Sequence, residues 1–140
     1  MATIQTEYKG ELRTEAIHIG SGSKILTDAP LDNKGKGEAF SPTDLLSASL
    51  GSCMLTIMGM AAEEHKINMD GVTMEITKIM EKNPRRVGEI KIDFNFPFKS
   101  YSEKEKLILE KAAMNCPVYY SLHPDLKKTV NFNFGSESGS

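Results

Sequence analysis

The amino-acid sequence predicts an α+β fold with a mainly antiparallel sheet. Segments with strand character come first, a long helix follows, and the remaining strands and a second helix do not alternate as they do in βαβ folds. The chain has 140 residues, which is a usual size for one domain. We therefore expect a single domain over residues 1–134 and a flexible tail, rich in Gly and Ser, over 135–140.

Strand predictions rest on two patterns. Segments rich in Ile, Tyr and Thr are bounded by Gly and Ser, and later segments alternate apolar with polar residues. The clearest alternation places Ile90, Ile92, Phe94 and Phe96 on one face. Strands are predicted over six segments: 3–9, 12–19, 23–27, 72–80, 86–97 and 129–134. Residues 28–37 are predicted to form a loop, because Pro, Gly, Asp and Asn dominate there.

Two helices are predicted from their capping residues. Ser41, Pro42 and Asp44 mark the start of a long central helix that continues to about Lys66 and carries small residues over 47–52. Small residues allow another part of the chain to approach closely. Ser102, with Glu105 three positions later, marks a second helix over 102–115 that ends before Pro117 and is followed by a helical turn over 118–122. Its core-facing side chains are predicted to include Leu107, Ile108 and Ala112.

Charge and composition exclude several function classes. With 17 Lys and Arg against 19 Asp and Glu, the net charge is −2, so no basic surplus favours nucleic acid or an anionic membrane as partner. The most apolar stretch, 45–62, is interrupted by serines, and we expect it to be too polar to span a bilayer. The N-terminal residues lack the pattern of a signal peptide, which predicts a cytoplasmic location and reduced thiols.

The two cysteines, Cys53 and Cys116, leave three alternatives open. The first alternative is that both cysteines are small buried side chains, the second is a structural disulfide, and the third is a reversible redox pair. Redox chemistry requires a thiolate, and an ordinary thiol with a pKa of about 8.5 is only roughly 3% ionised at pH 7. A nearby cation is therefore needed, and the sequence offers Arg13, Arg85, Arg86 or a lysine.

Other kinds of site are disfavoured. The three histidines, His18, His65 and His123, are scattered without metal-ligand spacing, so no metal site is predicted. The chain also lacks a glycine-rich phosphate-binding motif.

Three segments resemble the family of osmotically inducible protein C and organic hydroperoxide resistance proteins (OsmC/Ohr). The run from Ser41 to Cys53, Ser-Pro-Thr-Asp-Leu-Leu-Ser-Ala-Ser-Leu-Gly-Ser-Cys, is similar to the signature that leads to the first family cysteine. Cys116-Pro117-Val118, followed by Leu-His-Pro-Asp over 122–125, resembles the second-cysteine motif. Gly10-Glu11-Leu12-Arg13 resembles the segment with the family arginine.

This resemblance implies an OsmC-like fold, with bent antiparallel sheets around a long central helix, assembled as an intertwined homodimer with active sites shared at the subunit interface. It further implies that Cys53 attacks an organic hydroperoxide, Arg13 favours the Cys53 thiolate and orients the peroxide, and Cys116 resolves the oxidised Cys53 as a disulfide. No bound cofactor is implied, and an external dithiol of the lipoyl type would be the reductant. The apolar surroundings of Cys53 are assigned to substrate binding: Leu50, Ile57 and Met60.

Asp44 is the acid that the resemblance places in the site. It lies nine residues before Cys53, which corresponds to about 180° around a helix and about 13 Å along it. A catalytic Asp44 would therefore come from the partner subunit or require a bend in the chain, and the alternative is that Asp44 only caps the helix. The hydroperoxide branch has Glu where this chain has Thr43, and other branches have Glu in place of Asp44.

The leading hypothesis is a cytoplasmic, dimeric thiol peroxidase that acts on organic hydroperoxides in oxidative-stress defence. The alternatives are a non-catalytic OsmC-like dimer that binds a hydrophobic small molecule at the subunit interface, and a structural dimer whose cysteines are core residues. They differ in whether Cys53, Cys116 and Arg13 converge in one cleft.

Overall fold

The computed structural model describes residues 1–97 and 100–135. The chain forms two compact units, Met1–Leu46 and Ser47–Ser140, which are described separately. Of the predicted tail over 135–140, all but Gly135 lies outside the described residues.

The Met1–Leu46 unit contains a three-stranded antiparallel sheet. Its strands are β1 (Ile4–Gly10), β2 (Arg13–His18) and β3 (Lys24–Asp28), in that spatial order. All three follow the predicted segments to within one residue at each end. A loop that contains a short 3-10 turn, Leu31–Asn33, then leads to the central helix, as the composition of this region predicts.

Helix α1 (Pro42–His65) begins in the first unit and continues into the second. The Ser41 N–H donates to Asp44 Oδ2 at 3.0 Å, and the Asp44 N–H donates to Ser41 Oγ at 3.0 Å. These reciprocal bonds satisfy backbone groups that the first turn leaves unpaired. The predicted helix start is therefore confirmed.

The Ser47–Ser140 unit contains a mixed sheet. Strands β4 (Thr73–Glu81) and β5 (Arg86–Phe96) are antiparallel, and β6 (Lys127–Phe134) is parallel to β5. Between β5 and β6 the chain forms helices α2 (Glu103–Met114) and α3 (Pro117–Ser121). Parallel strands need a long crossover of this kind, and β5–β6 is a parallel pair within the mainly antiparallel pairing that the sequence predicts.

The core of the second unit lies where α1 packs on this sheet. The predicted inward face of β5 is confirmed, because Ile90, Ile92 and Phe94 are fully buried and Phe96 is 3% exposed. Helix α1 contributes buried side chains at intervals of four residues: Leu50, Met54, Met58 and Ala62. A Cβ added at Gly51 would lie 2.7 Å from Ile76 Cδ1, so this small residue does permit the close approach that the sequence predicts.

Helix α2 has the predicted capping box, in which Ser102 Oγ accepts from the Glu105 N–H and the Glu105 side chain accepts from the Ser102 N–H. Its buried residues are Leu109 and Ala113. The prediction that Leu107 faces the core is wrong, because Leu107 is 50% exposed. Leu109 and Ala113, four residues apart, form the stripe that packs inward.

The length and composition of α1 also bear on the membrane prediction. An 18-residue window of α1 has a mean hydropathy of 1.6, so the helix is long and apolar enough to cross a bilayer. The expectation that this stretch is too polar for a span is therefore wrong on composition. The core helix of a soluble protein meets the same criterion, and Leu50, Met54 and Met58 are fully buried in the core described above.

Candidate active site

Cys116 lies where two helices meet. Helix α2 ends with Asn115 as its C-cap, and Cys116 is the N-cap of α3. Its Sγ accepts a hydrogen bond from the Tyr119 N–H at 3.3 Å, and the residue is fully buried. Cys116 thus lies between the two predicted helical segments, and the structure assigns it an N-cap role in α3.

Cys53 faces Cys116 from helix α1. It is partly exposed and packs against the core cluster that contains Cys116, and both cysteines are free thiols. Burial raises the pKa of the Cys116 thiol, the Tyr119 N–H opposes this shift, and a hydrogen bond with the Cys53 side chain raises the pKa further. A hydrogen bond raises a thiol pKa when it favours the protonated form. The two cysteine side chains are therefore in hydrogen-bond contact, and both the burial of Cys116 and this contact favour its protonated form.

The contact between the two sulfurs defines what this part of the site can do. A buried thiol reaches a second, more accessible thiol, so an oxidised sulfur on Cys53 has a partner beside it. Disulfide formation replaces this contact with a bond of about 2.05 Å. A redox pair requires this proximity, and the choice among the three alternatives for the cysteines stays a prediction.

Arg13 begins strand β2 in the other unit. It follows a tight turn in which Glu11 and Leu12 have φ values of 53° and 64°, a left-handed conformation that non-glycine residues seldom adopt. In the β2–β3 register, Arg13 lies directly opposite Asp28. The Arg13 Nε–H donates to Asp28 Oδ1 at 2.7 Å, and an Nη2–H donates to Asp28 Oδ2 at 2.8 Å.

Asp28 and Glu38 surround the Arg13 guanidinium with negative charge. Asp28 is fully buried, and its Oδ2 also accepts the Glu38 N–H at 3.1 Å. Glu38, whose side chain is 66% exposed, accepts from Arg13 Nη2 at 3.2 Å. The hydrogen bond from Arg13 lowers the pKa of the Asp28 carboxyl, and that of Arg13 is raised by the same bond.

Sequence reasoning missed Asp28. It stands at the start of the segment predicted to be a loop, and its partner Arg13 is 15 residues away in the chain. The available signal was the pairing register of the predicted strands over 12–19 and 23–27. A correct register for that hairpin places Arg13 and Asp28 side by side.

Asp44 belongs to the same unit as Arg13, and its observed hydrogen bonds with Ser41 are those of a helix cap. Helix α1 continues without a break from Pro42 to His65. The sequence allowed a bend in the chain as one way to bring Asp44 and Cys53 into one site, and helix α1 contains no such bend. A role for Asp44 in the site stays a prediction.

The three predicted substrate-binding residues differ in exposure. Leu50 is fully buried and belongs to the core, Ile57 is partly buried, and Met60 is 60% exposed. Ile57 and Met60 lie four and seven residues after Cys53, so their side chains share its face of α1. These two can present apolar surface near the thiol.

The Met1–Leu46 unit also has an open groove of about 350 Å³, lined by Gly37, Glu38, Ala39, Phe40 and Asp44. It offers two carboxylates and the half-exposed Phe40 ring. Across residues 1–97 and 100–135, no group of three or more His, Cys, Asp or Glu side chains is placed to hold a metal ion.

Comparison with known proteins adds a family and a set of similar structures. The family model described as OsmC-like protein matches residues 35–131. No functionally curated protein matches the chain.

A protein from Psychrobacter arcticus 273-4, described as a candidate osmotic stress induced and detoxification response protein, is 49% identical. The match covers 95% of this chain and 96% of that one, with a TM-score of 0.91. The organic hydroperoxide resistance protein OsmC from Legionella pneumophila is 15% identical, with a TM-score of 0.70 and coverage of 95% and 98%. An organic hydroperoxide resistance protein from Elizabethkingia anophelis is 16% identical, with a TM-score of 0.68 and coverage of 96% and 98%. The last two show similarity of fold alone.

The raised pKa of the buried Cys116 thiol predicts a loss of stability in alkali. The contribution of protonated Cys116 to the free energy of unfolding is fully present below the pKa of an unfolded thiol, about 8.5. This contribution is lost as pH rises through the higher pKa that Cys116 has in the folded protein. The free energy of unfolding, measured in urea with a reductant at pH 7.5 and 9.5, should fall more in the wild type than in Cys116→Ala. One such group contributes a slope of at most about 1.4 kcal/mol per pH unit. If the free energy of unfolding fell equally in the wild type and in Cys116→Ala, the result would contradict a buried Cys116 thiol with a raised pKa.

Proposed function

Because the chain belongs to the OsmC-like protein family, we propose that it is a thiol-dependent peroxidase. It reduces organic hydroperoxides to alcohols through a Cys53 sulfenic acid and a Cys53–Cys116 disulfide. The observation that supports this proposal most strongly is the contact between a partly exposed Cys53 and a fully buried Cys116.

The unequal environments of the two cysteines favour one order of events. Cys53 is the sulfur that solvent and substrate reach more easily, which suits the nucleophile. Cys116 is buried, and its raised pKa keeps it protonated at neutral pH. A protonated, enclosed thiol is poorly suited to attack a peroxide first, but it is well placed to react with a sulfenic acid on its neighbour.

The reaction cycle has three steps. The Cys53 thiolate attacks the terminal oxygen of ROOH, the O–O bond breaks, and the leaving alkoxide takes up a proton to become ROH. Cys53 is then a sulfenic acid, and the sulfur of Cys116 displaces its hydroxyl as water to form the disulfide. An external dithiol reduces the disulfide through a mixed disulfide and leaves as its own cyclic disulfide, so both protein thiols are restored.

Arg13 supplies positive charge to this chemistry in the proposal. A guanidinium remains protonated at any working pH, and the Arg13 pKa is raised further by Asp28. Such a group favours an adjacent thiolate and binds the oxygens of a peroxide. The support for this role is the family resemblance around Gly10–Arg13 and the fixed orientation of the side chain on Asp28.

An organic rather than an inorganic peroxide is proposed as substrate. Ile57 and Met60 present apolar surface on the Cys53 face of α1, and apolar surface favours a substrate with a hydrocarbon group. The reductant is proposed to be a lipoyl-type dithiol in the cytoplasm, and the physiological role is defence against oxidative stress.

A homodimer is proposed as the working assembly, with Asp44 contributed to the site by the partner. In the antiparallel register of the first unit, Ile4, Tyr8 and Ile25 lie on one face of the sheet, and each is more than 40% exposed. Exposed apolar side chains grouped on one face are typical of protein interfaces. Sedimentation equilibrium should give twice the 15.5 kDa chain mass, and a monomer at micromolar concentration would contradict the shared site.

The peroxidase proposal is tested by turnover of cumene hydroperoxide with a dihydrolipoyl reductant. Cys53→Ser should reduce turnover to the uncatalysed level, because the nucleophile is lost. Cys116→Ser is the matched variant: it should complete one equivalent of peroxide reduction and then stall, with a sulfenic acid that dimedone traps on Cys53.

The alternatives give different results. A non-catalytic binding protein or a structural dimer would show no difference between wild type and Cys53→Ser. Equal and sustained turnover in wild type and Cys116→Ser would remove Cys116 from the cycle while leaving Cys53 as its nucleophile.

A further inference from the structure

We propose that Asp28 is a positioning residue, which holds the Arg13 guanidinium in the orientation that the reaction uses. The inference rests on the proposed function, since it assumes that Arg13 acts on Cys53 or on the peroxide. It adds a residue that none of the sequence motifs contains.

The geometry of the pair fixes the direction of the guanidinium. Arg13 contacts both oxygens of Asp28 through Nε and Nη2, at 2.7 and 2.8 Å. Two parallel hydrogen bonds between planar groups define an orientation that one bond would not. They occupy one edge of the guanidinium, so the Nη1 edge is the one directed away from Asp28.

Asp28 is itself held in place. It lies on β3 directly across from Arg13, is fully buried, and accepts the Glu38 N–H on the same Oδ2 that binds Arg13 Nη2. A buried carboxylate with several hydrogen bonds has few alternative rotamers, so it transmits the rigidity of the sheet to its partner. Arg13 is only 30% exposed along its side chain, which restricts it further.

Glu38 contacts the same guanidinium but is a weaker support. Its carboxylate is 66% exposed and makes one contact, at 3.2 Å. Exposed ion pairs are screened by water and lose side-chain entropy when they form. The orientation of Arg13 is therefore assigned to Asp28, and Glu38 is expected to contribute less.

A double-mutant cycle separates positioning from general stabilisation of the fold. The quantity measured is the second-order rate constant for oxidation of Cys53 by cumene hydroperoxide in one turnover, followed by loss of the free thiol. The variants are Asp28→Asn, Arg13→Ala, the double variant, and the control Glu11→Gln, which removes an exposed carboxylate that pairs with Lys36 in the same unit.

Asp28→Asn should slow the oxidation about 10- to 100-fold, the range that misplacement of a catalytic group produces. In the Arg13→Ala background the same substitution should change the rate by less than about twofold, because there is no guanidinium left to hold. Glu38→Gln should lose less than Asp28→Asn, and Glu11→Gln should stay within about twofold of wild type. An equal loss from Asp28→Asn in both backgrounds, or no loss at all, would overturn the proposal.

Arg13→Lys keeps the test decisive if Asp28→Asn does not fold. Lysine retains the charge beside Asp28 but lacks the planar fork, so positioning predicts a loss close to that of Arg13→Ala. Full activity of Arg13→Lys would show that orientation is not required and would refute the role of Asp28. Full activity of Arg13→Ala would instead remove Arg13 from the proposed mechanism, an outcome separate from the failure of Asp28 alone.

Discussion

The burial of Cys116 at the junction of α2 and α3 is the constraint on which the account of the redox site depends. The residue follows the C-cap of α2 and is the N-cap of α3, and its sulfur lies in the core, where its polar partners include the Tyr119 N–H and the Cys53 side chain. Burial makes the thiolate form costly. In the proposed mechanism, the same packing that stabilises the second unit makes the more accessible Cys53 the first thiol to react.

In the Met1–Leu46 unit, the arginine that we propose for the site is held in place by a different means. A tight turn and the register of β2 with β3 bring Arg13 opposite Asp28, and a paired set of charge-assisted hydrogen bonds holds the guanidinium there. In the Ser47–Ser140 unit, burial favours the protonated form of the Cys116 thiol. In the Met1–Leu46 unit, hydrogen-bond geometry sets the direction of the permanently charged Arg13 guanidinium. Both depend on contacts between residues that are distant in the chain, and each can be altered by a single substitution.

The sequence predicted the elements well and their pairing less well. Caps at Ser41 and Ser102 and the alternation from Ile90 to Phe96 are local signals, and the structure follows them. The parallel pairing of β5 with β6 and the Arg13–Asp28 contact depend on residues far apart in the chain, which periodicity does not report. The exposure of Leu107 shows the same limit, since hydrophobicity alone does not set the rotation of a helix about its axis. The two cysteines were found through motifs rather than periodicity, and the hydrogen bond that joins them is a tertiary contact.

The central claim is that Cys53 and Cys116 form one redox pair, and peptide mass spectrometry of the oxidised protein tests it most directly. The reduced chain is treated with one equivalent of cumene hydroperoxide, alkylated and digested. We expect a single linked pair of peptides, one with Cys53 and the other with Cys116, and a loss of both free thiols. Oxidation of Cys53 to sulfinic or sulfonic acid, with Cys116 recovered as a free alkylated thiol, would contradict it.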